Sequence, residues 1–189
     1  MPALPTSLVL EDDEVHLRDW RVDDASALEP MCGDPEVCRF SSVPWQYERS
    51  AAERWIARVE AGRSAGRAIA LAITETGLDD LPLGNVNLVR FSDDGRSAAL
   101  GYWLAPRARG RGLATSAARL LCGWGFQALR LADIELAILP ENLASQRVAR
   151  RLGATPRGLR RDSHHAEGRW WDMEMFVLGR PSGASGAAG

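Results

Sequence analysis

One run constrains this chain more than any other: "GYWLAPRARGRGLATSAARLL", Gly101 to Leu121. Apolar β formers from Ser97 to Ala105 give way to a basic loop with two glycines, and then to a segment with helical spacing. In that segment Leu113, Ala117, Leu120, Leu121, Trp124 and Ala128 fall on one face. A strand that enters a helix through such a loop sets the helix's first turn at the end of a sheet. First-turn N–H groups lack intrahelical partners, and with the positive end of the helix dipole they form an anion site. Gly110 and Gly112 let the backbone approach a ligand closely. Arg107, Arg109 and Arg111 add charge able to reach phosphate oxygens. The pattern lacks the Lys-Ser/Thr of a P-loop and the third glycine of a dinucleotide fingerprint. By itself the loop therefore reads either as a phosphate cradle or as a basic turn.

The rest of the chain places the loop in a mixed α/β domain. His16–Trp20 reads as a strand, and the acidic turn at Asp23 and Asp24 starts a helix. Residues 34–47, with Pro35 and Pro44, read as a loop. A second helix begins near Ser50, with Ala52, Trp55, Ile56 and Val59 on one face. Two apolar runs, 67–76 and 81–91, read as a hairpin, and Ser97–Ala105 is the next strand. After the loop and its helix come a strand at Ile134–Leu139 and a short helix with Asn142 as N-cap and Gly153 at its end. Gly123 and Gly125 weaken the longer helix but permit close packing. Residues 155–162 and 168–178 close the order as a strand pair. Residues 1–13 form an N-terminal extension and 14–178 the domain. Residues 179–189 are a small-residue tail expected to be disordered.

Composition excludes several classes of function. A net charge of −2 gives no overall attraction to nucleic acid or to an anionic membrane. No apolar run reaches the length of a membrane span, and the N-terminus lacks the basic region of a signal peptide, so the cytoplasm is the expected compartment. Cys32, Cys38 and Cys122 with His164 and His165 lack metal-ligand spacing, so no metal is expected. All 23 basic residues are arginine, which reads as a coding bias. Charge is uneven: residues 1–36 hold ten acids and two arginines, and residues 147–169 hold seven arginines and two acids.

Several motifs in order then carry a resemblance. "RARGRGLA" resembles the acyl-CoA loop of the GNAT superfamily of N-acetyltransferases, with Arg107, Gly110 and Gly112 at its three specified positions. "GYWLAPRARGRGLAT" and "PENLASQRVARRLGA" are similar to motifs of the RimJ/RimL branch, which modifies protein N-termini and related amines. "DPEVCRF", "ERWI" and "GRWWDMEMFVL" also fit that branch. The resemblance spans roughly residues 14–178. It implies a single domain with a mostly antiparallel central sheet, flanked by helices and splayed between its fourth and fifth strands. Acetyl-CoA would bind there, its diphosphate on the N–H groups of Arg109 to Ala114, including Gly110, Arg111, Gly112 and Leu113, and its pantetheine between the splayed strands.

The implied reaction is acetyl transfer from a thioester to a primary amine, most simply a peptide α-amine. Alternatives are a small-molecule amine, another acyl-CoA, or a CoA-binding sensor without turnover. A backbone N–H near Trp103–Ala105, next to Leu104, would receive the oxyanion. Many members of the superfamily place a tyrosine seven residues after the asparagine, where this chain has Ala149. Ser145, one turn earlier, is then the candidate for the departing sulfur, and Asn142 is a candidate for contacting pantetheine as well as for capping the helix. No acid stands out as a base. Asp172 is a candidate either for holding the ammonium or for ordering the closing strands, and Glu36 and Glu174 are the remaining acids considered. Phe40, Ser41, Trp45 and Tyr102 are candidates for the acceptor pocket. Arg147, Arg150 and Arg151 are candidates for the 3′-phosphate. Trp170 and Trp171 must face opposite sides of a strand, one toward the core and the other toward substrate or a second copy in a homodimer.

Overall fold

The computed structural model describes residues 3–40, 49–78, 81–166 and 168–181. One eight-stranded sheet runs in the order β1-β2-β3-β4-β5-β6-β8-β7, formed by Leu10–Glu11, Val15–Arg18, Ala68–Glu75, Gly84–Val89, Ser97–Leu104, Asp133–Ile138, Arg169–Gly179 and Thr155–Ala166 in that spatial order. All neighbours are antiparallel except β5 and β6. The helices are α1 (Ala25–Cys32), α2 (Pro35–Phe40), α3 (Arg49–Ser64), α4 (Leu113–Ala128) and α5 (Leu143–Leu152).

The strand period of two divides the core. On β3, Ile69, Leu71 and Ile73 enter the main core with Leu113, Ala117 and Leu121 of α4, whereas Ala72 joins Leu28, Met31, Ala52 and Ile56 of α1 and α3. On β5, Tyr102 and Leu104 pack toward the α4 core and Trp103 toward the α1–α3 cluster. Trp20 joins that second cluster, edge-on to Trp55 with ring centroids 5.2 Å apart, and its indole N–H donates to Asn85 at 3.1 Å. A buried ion pair ties the first helical turn to the sheet: Arg18 donates to both carboxylate oxygens of Asp24, at 2.7 and 3.0 Å.

Three expectations change. Residues 35–40 form α2 rather than part of a loop. Residues 10–11, placed in an N-terminal extension, add an edge strand paired with β2, so the splayed pair is the fifth and sixth strands of the sheet. Ala128 is exposed, because the buried face of α4 runs through Ala117, Ala118, Leu121, Cys122 and Gly125. Gly125 does permit close packing. A Cβ there would lie 3.0 Å from Leu88 Cδ1 and 3.1 Å from Leu131 Cδ1. Residues 182–189, most of the expected tail, lie outside the described residues.

Candidate active site

β5 and β6 share only three paired positions, Ser97↔Asp133, Ala98↔Ile134 and Ala99↔Glu135. Beyond Ala99 the two strands part, and the sheet opens in the middle. A cavity of about 310 Å³ lies at this opening. Its walls come from Tyr102, Trp103 and Leu104 on β5, the loop before α4 with the first turn of that helix, α5 from its N-cap Asn142 to Arg151, and Glu36, Val37 and Phe40 on α2.

The loop before α4 has the geometry of an anion cradle. Gly110 and Gly112 have φ of 76° and 89°, which larger residues resist, and a Cβ at either would meet nothing within 4 Å. Both glycines therefore border open space, and both line the cavity. Gly112 is the N-cap of α4, and its carbonyl accepts from Thr115 and Ser116 at 2.8 and 3.2 Å. The Arg109 N–H is already bonded to the Pro106 carbonyl at 3.2 Å, so the N–H groups available to an anion begin at Gly110. The arginine side chains turn elsewhere. Arg107 donates to the Pro82 carbonyl at 2.9 Å, and Arg111 pairs with Glu75 at 2.7 Å. Arg109 pairs with Asp34 and with Glu36, the latter at 2.7 Å, and donates from Nε to the Leu104 carbonyl at 3.2 Å. Side-chain charge aimed at phosphate from these three residues is thus not the arrangement observed. On α5, Arg147 and Arg151 line the cavity, whereas Arg150 bonds Gln146 and lies over the Phe176 ring.

Asn142 caps α5, accepting from the Ser145 N–H at 3.0 Å, and both residues line the cavity. Ala149 is fully buried in the main core, and its methyl does not line the cavity. Among the described residues the hydroxyls in the lining belong to Tyr102, Thr115 and Ser145, of which Thr115 carried no sequence signal beyond its place in the first turn of α4. Tyr102 donates across the opening to the Ser145 carbonyl at 3.3 Å. Burial pushes its hydroxyl up to about 12, against the lowering effect of that bond, so Tyr102 stays protonated near neutral pH. Of the N–H groups expected to receive an oxyanion, Ala105 is taken by the Leu83 carbonyl at 2.8 Å, and Trp103 and Leu104 line the cavity.

The acids sort by position. Asp172 accepts from the Asp162 N–H at 3.0 Å, ordering the β7–β8 hairpin, and it does not line the cavity. Glu174 sits opposite Ile138 in the ladder and is likewise outside the lining. Asp34 receives Arg109 and the Val37 N–H. Burial raises its carboxyl, but those bonds and the guanidinium charge outweigh it and hold the group below the usual carboxylate range. Phe40 reaches the cavity and also packs against the cluster of Leu139, Met173 and Met175, as does Trp171. Trp170 is exposed. Ser41 and Trp45 lie outside the described residues. Among the described residues no cluster of His, Cys, Asp or Glu could hold a metal, and no helix is long and apolar enough to cross a membrane.

An opened sheet with a glycine-loop helix terminus at the opening is accompanied by a sequence match over residues 14–155 to the acetyltransferase (GNAT) domain family. The chain belongs to the GNAT acetyltransferases. It is 29% identical to the N-acetyltransferase p20 of Bacillus licheniformis over 89% of this chain and 94% of that protein. Its fold matches RimJ of Mycobacterium smegmatis, solved with CoA-disulfide, at a TM-score of 0.77 and 23% identity over 92% and 86% of the two chains. It also matches RimL, a ribosomal α-N-protein acetyltransferase solved with coenzyme A, at a TM-score of 0.79 and 16% identity over 91% and 98%. As a GNAT protein the chain is an acyl-CoA-dependent acetyltransferase that uses acetyl-CoA. The cavity fits that substrate: open space over Gly110 and Gly112 at a helix N-terminus suits a diphosphate, and the gap between β5 and β6 suits an extended arm.

Proposed function

We propose that this acetyltransferase modifies an unhindered α-amine, most simply a peptide or protein N-terminus. The observation that carries the reading is the cavity's lining, in which the one carboxylate among the described residues, Glu36, is already engaged by Arg109. Carboxylates are weak bases near neutral pH, so the site favours an amine that loses its proton unaided. At pH 7.5 an α-amine with a pKa of roughly 7.7–8.0 is about a quarter to two-fifths neutral, whereas a lysine near 10.4 is about 0.1% neutral. RimL, which shares the fold, is named as an α-N-protein acetyltransferase, and this supports the same acceptor here.

In this reading the neutral amine attacks the thioester carbonyl, the C–N bond forms, and the C–S bond breaks. The amine's proton leaves to solvent, and the sulfur departs as thiolate. The Gly110–Ala114 turn holds the diphosphate, and the backbone N–H of Leu104, which alternates with the β4-directed N–H groups of Trp103 and Ala105, meets the oxyanion. The Ser145 hydroxyl hydrogen-bonds the departing sulfur, and Tyr102 fixes the Ser145 turn from the opposite wall. The test is a pair of otherwise identical peptides, one with a free N-terminus and a blocked lysine, the other reversed. Faster acetylation of the free N-terminus at pH 7.5 is expected, and faster acetylation of the lysine overturns the reading.

A further inference from the structure

We propose that Glu36, aimed by Arg109, recognises the acceptor and selects amines that arrive positively charged. This rests on reading the cavity as the acetyl-transfer site. The charged side chains of the lining fall into two groups. Arg147 and Arg151 stand on α5 and Glu36 on α2, with Arg109 beside Glu36. An anionic CoA suits Arg147 and Arg151 together with the N-terminus of α4, and Glu36 is the anion of the lining, among the described residues, that suits an amine.

The charge balance at that end favours a cation. Asp34 and Glu36 share one guanidinium, so the group carries one net negative charge. The two carboxylates differ in accessibility: the Asp34 side chain is 15% exposed and that of Glu36 is 64%. Asp34 also accepts the Val37 N–H and so serves α2 itself. Glu36 presents the surplus charge, and the bond to Arg109 occupies its Oε2.

Arg109 also fixes where that charge sits. Its Nε donates to the Leu104 carbonyl on β5, so one guanidinium ties Glu36 to the strand bearing Tyr102 and Trp103. Val37 and Phe40, beside Glu36, give an apolar wall for the group attached to the amine. Arg109 is the positioning residue and Glu36 the one that meets the acceptor.

The experiment uses the full chain with Glu36→Gln, which keeps the shape of the side chain and an oxygen for Arg109 while removing the charge. Two acceptors are compared at pH 7.5: a short peptide with a free N-terminus, cationic in large part, and an aniline, which is neutral. Glu36→Gln is expected to raise KM for the peptide about three- to tenfold, as for a largely solvent-exposed charge pair. That rise is expected to shrink at high salt. KM for the aniline and the calorimetric affinity for acetyl-CoA are expected to move less than twofold, and Glu36→Asp is expected to recover part of the peptide KM. An unchanged peptide KM, or an equal rise for both amines, overturns the proposal. A wild-type protein that binds acetyl-CoA yet acetylates neither amine overturns the transfer reading, and this proposal with it. A faster lysine peptide in the earlier test leaves Glu36 standing, since lysine is also cationic.

Discussion

Replacing Gly112 by alanine separates the role of this residue in the fold from its role in the site. Gly112 has φ 89° and ψ −15°, left-handed backbone that costs an alanine about 1–2 kcal/mol. The new Cβ meets nothing within 4 Å, so no steric term is added to that strain. Against a total stability of roughly 5–15 kcal/mol the chain still folds, with Tm lower by about 2–8 °C for a domain of this size. The methyl enters the cavity side of the turn, where a diphosphate would approach the N–H groups of Gly112 to Ala114. Displacing the anion from one charge-assisted hydrogen bond is worth about 1.5–3 kcal/mol, or roughly 10- to 150-fold in affinity. Calorimetric titration of the variant with coenzyme A measures this directly. Titration with acetyl-pantetheine, which lacks the diphosphate, is the control and should change little. A Kd for coenzyme A within about threefold of wild type, in a folded variant, would show that the diphosphate is held elsewhere.

Ser145→Ala should lower kcat roughly ten- to a thousandfold with little change in acetyl-CoA affinity, and an unchanged kcat under rate-limiting chemistry removes Ser145 from the mechanism. Gly125→Ala should cost a net of about 0–2 kcal/mol in urea unfolding, because overpacking against Leu88 and Leu131 at about 1–3 kcal/mol exceeds the roughly 1 kcal/mol that alanine gains in a helix; a stabilised variant means those side chains move freely. Asp34 has a depressed folded pKa, so its stabilisation is present above its unfolded value near 3.9 and is lost as pH falls through the folded value. Asp34→Asn should therefore destabilise the protein at pH 7 and reduce the pH dependence of stability at acid pH, as followed by denaturant midpoints; parallel curves for the two proteins would contradict this.

The glycine loop, the helix after it and the N-cap at Asn142 were legible because each depends on local chemistry that sequence states outright. The helix α2 was not, although its signal was present. Pro35 looks like a breaker, yet proline suits the first position of a helix, and Asp34 before it accepts the Val37 N–H as an N-cap does. Reading Asp-Pro-Glu as a helix start rather than a turn would have found it. The arginines of the loop illustrate a different limit. Sequence puts three guanidinium groups near the cradle, but their directions depend on Pro82, Glu75, Asp34 and Glu36, from 25 to 75 residues away along the chain. Asp172 could be read from sequence as either an ammonium partner or a strand organiser, and only the bond it accepts from the Asp162 N–H, where the β7–β8 register shifts, gives the second role for the described contact.

The parting of β5 and β6 after three paired positions gives this protein two sheet edges in its interior. Edges are ordinarily a hazard at a protein's rim, where exposed N–H and C=O groups invite a foreign strand. Here the pair lies in mid-sheet, between β5 and β6. With its pantetheine seated there, as proposed, acetyl-CoA would act as a temporary strand as well as a reactant. Its binding should slow hydrogen exchange along Leu100–Leu104 and Leu136–Ile138, and should raise resistance to aggregation by mass action on the folded state. On that placement the unliganded form is the one open to mispairing, and saturating acetyl-CoA should slow its aggregation relative to the free protein.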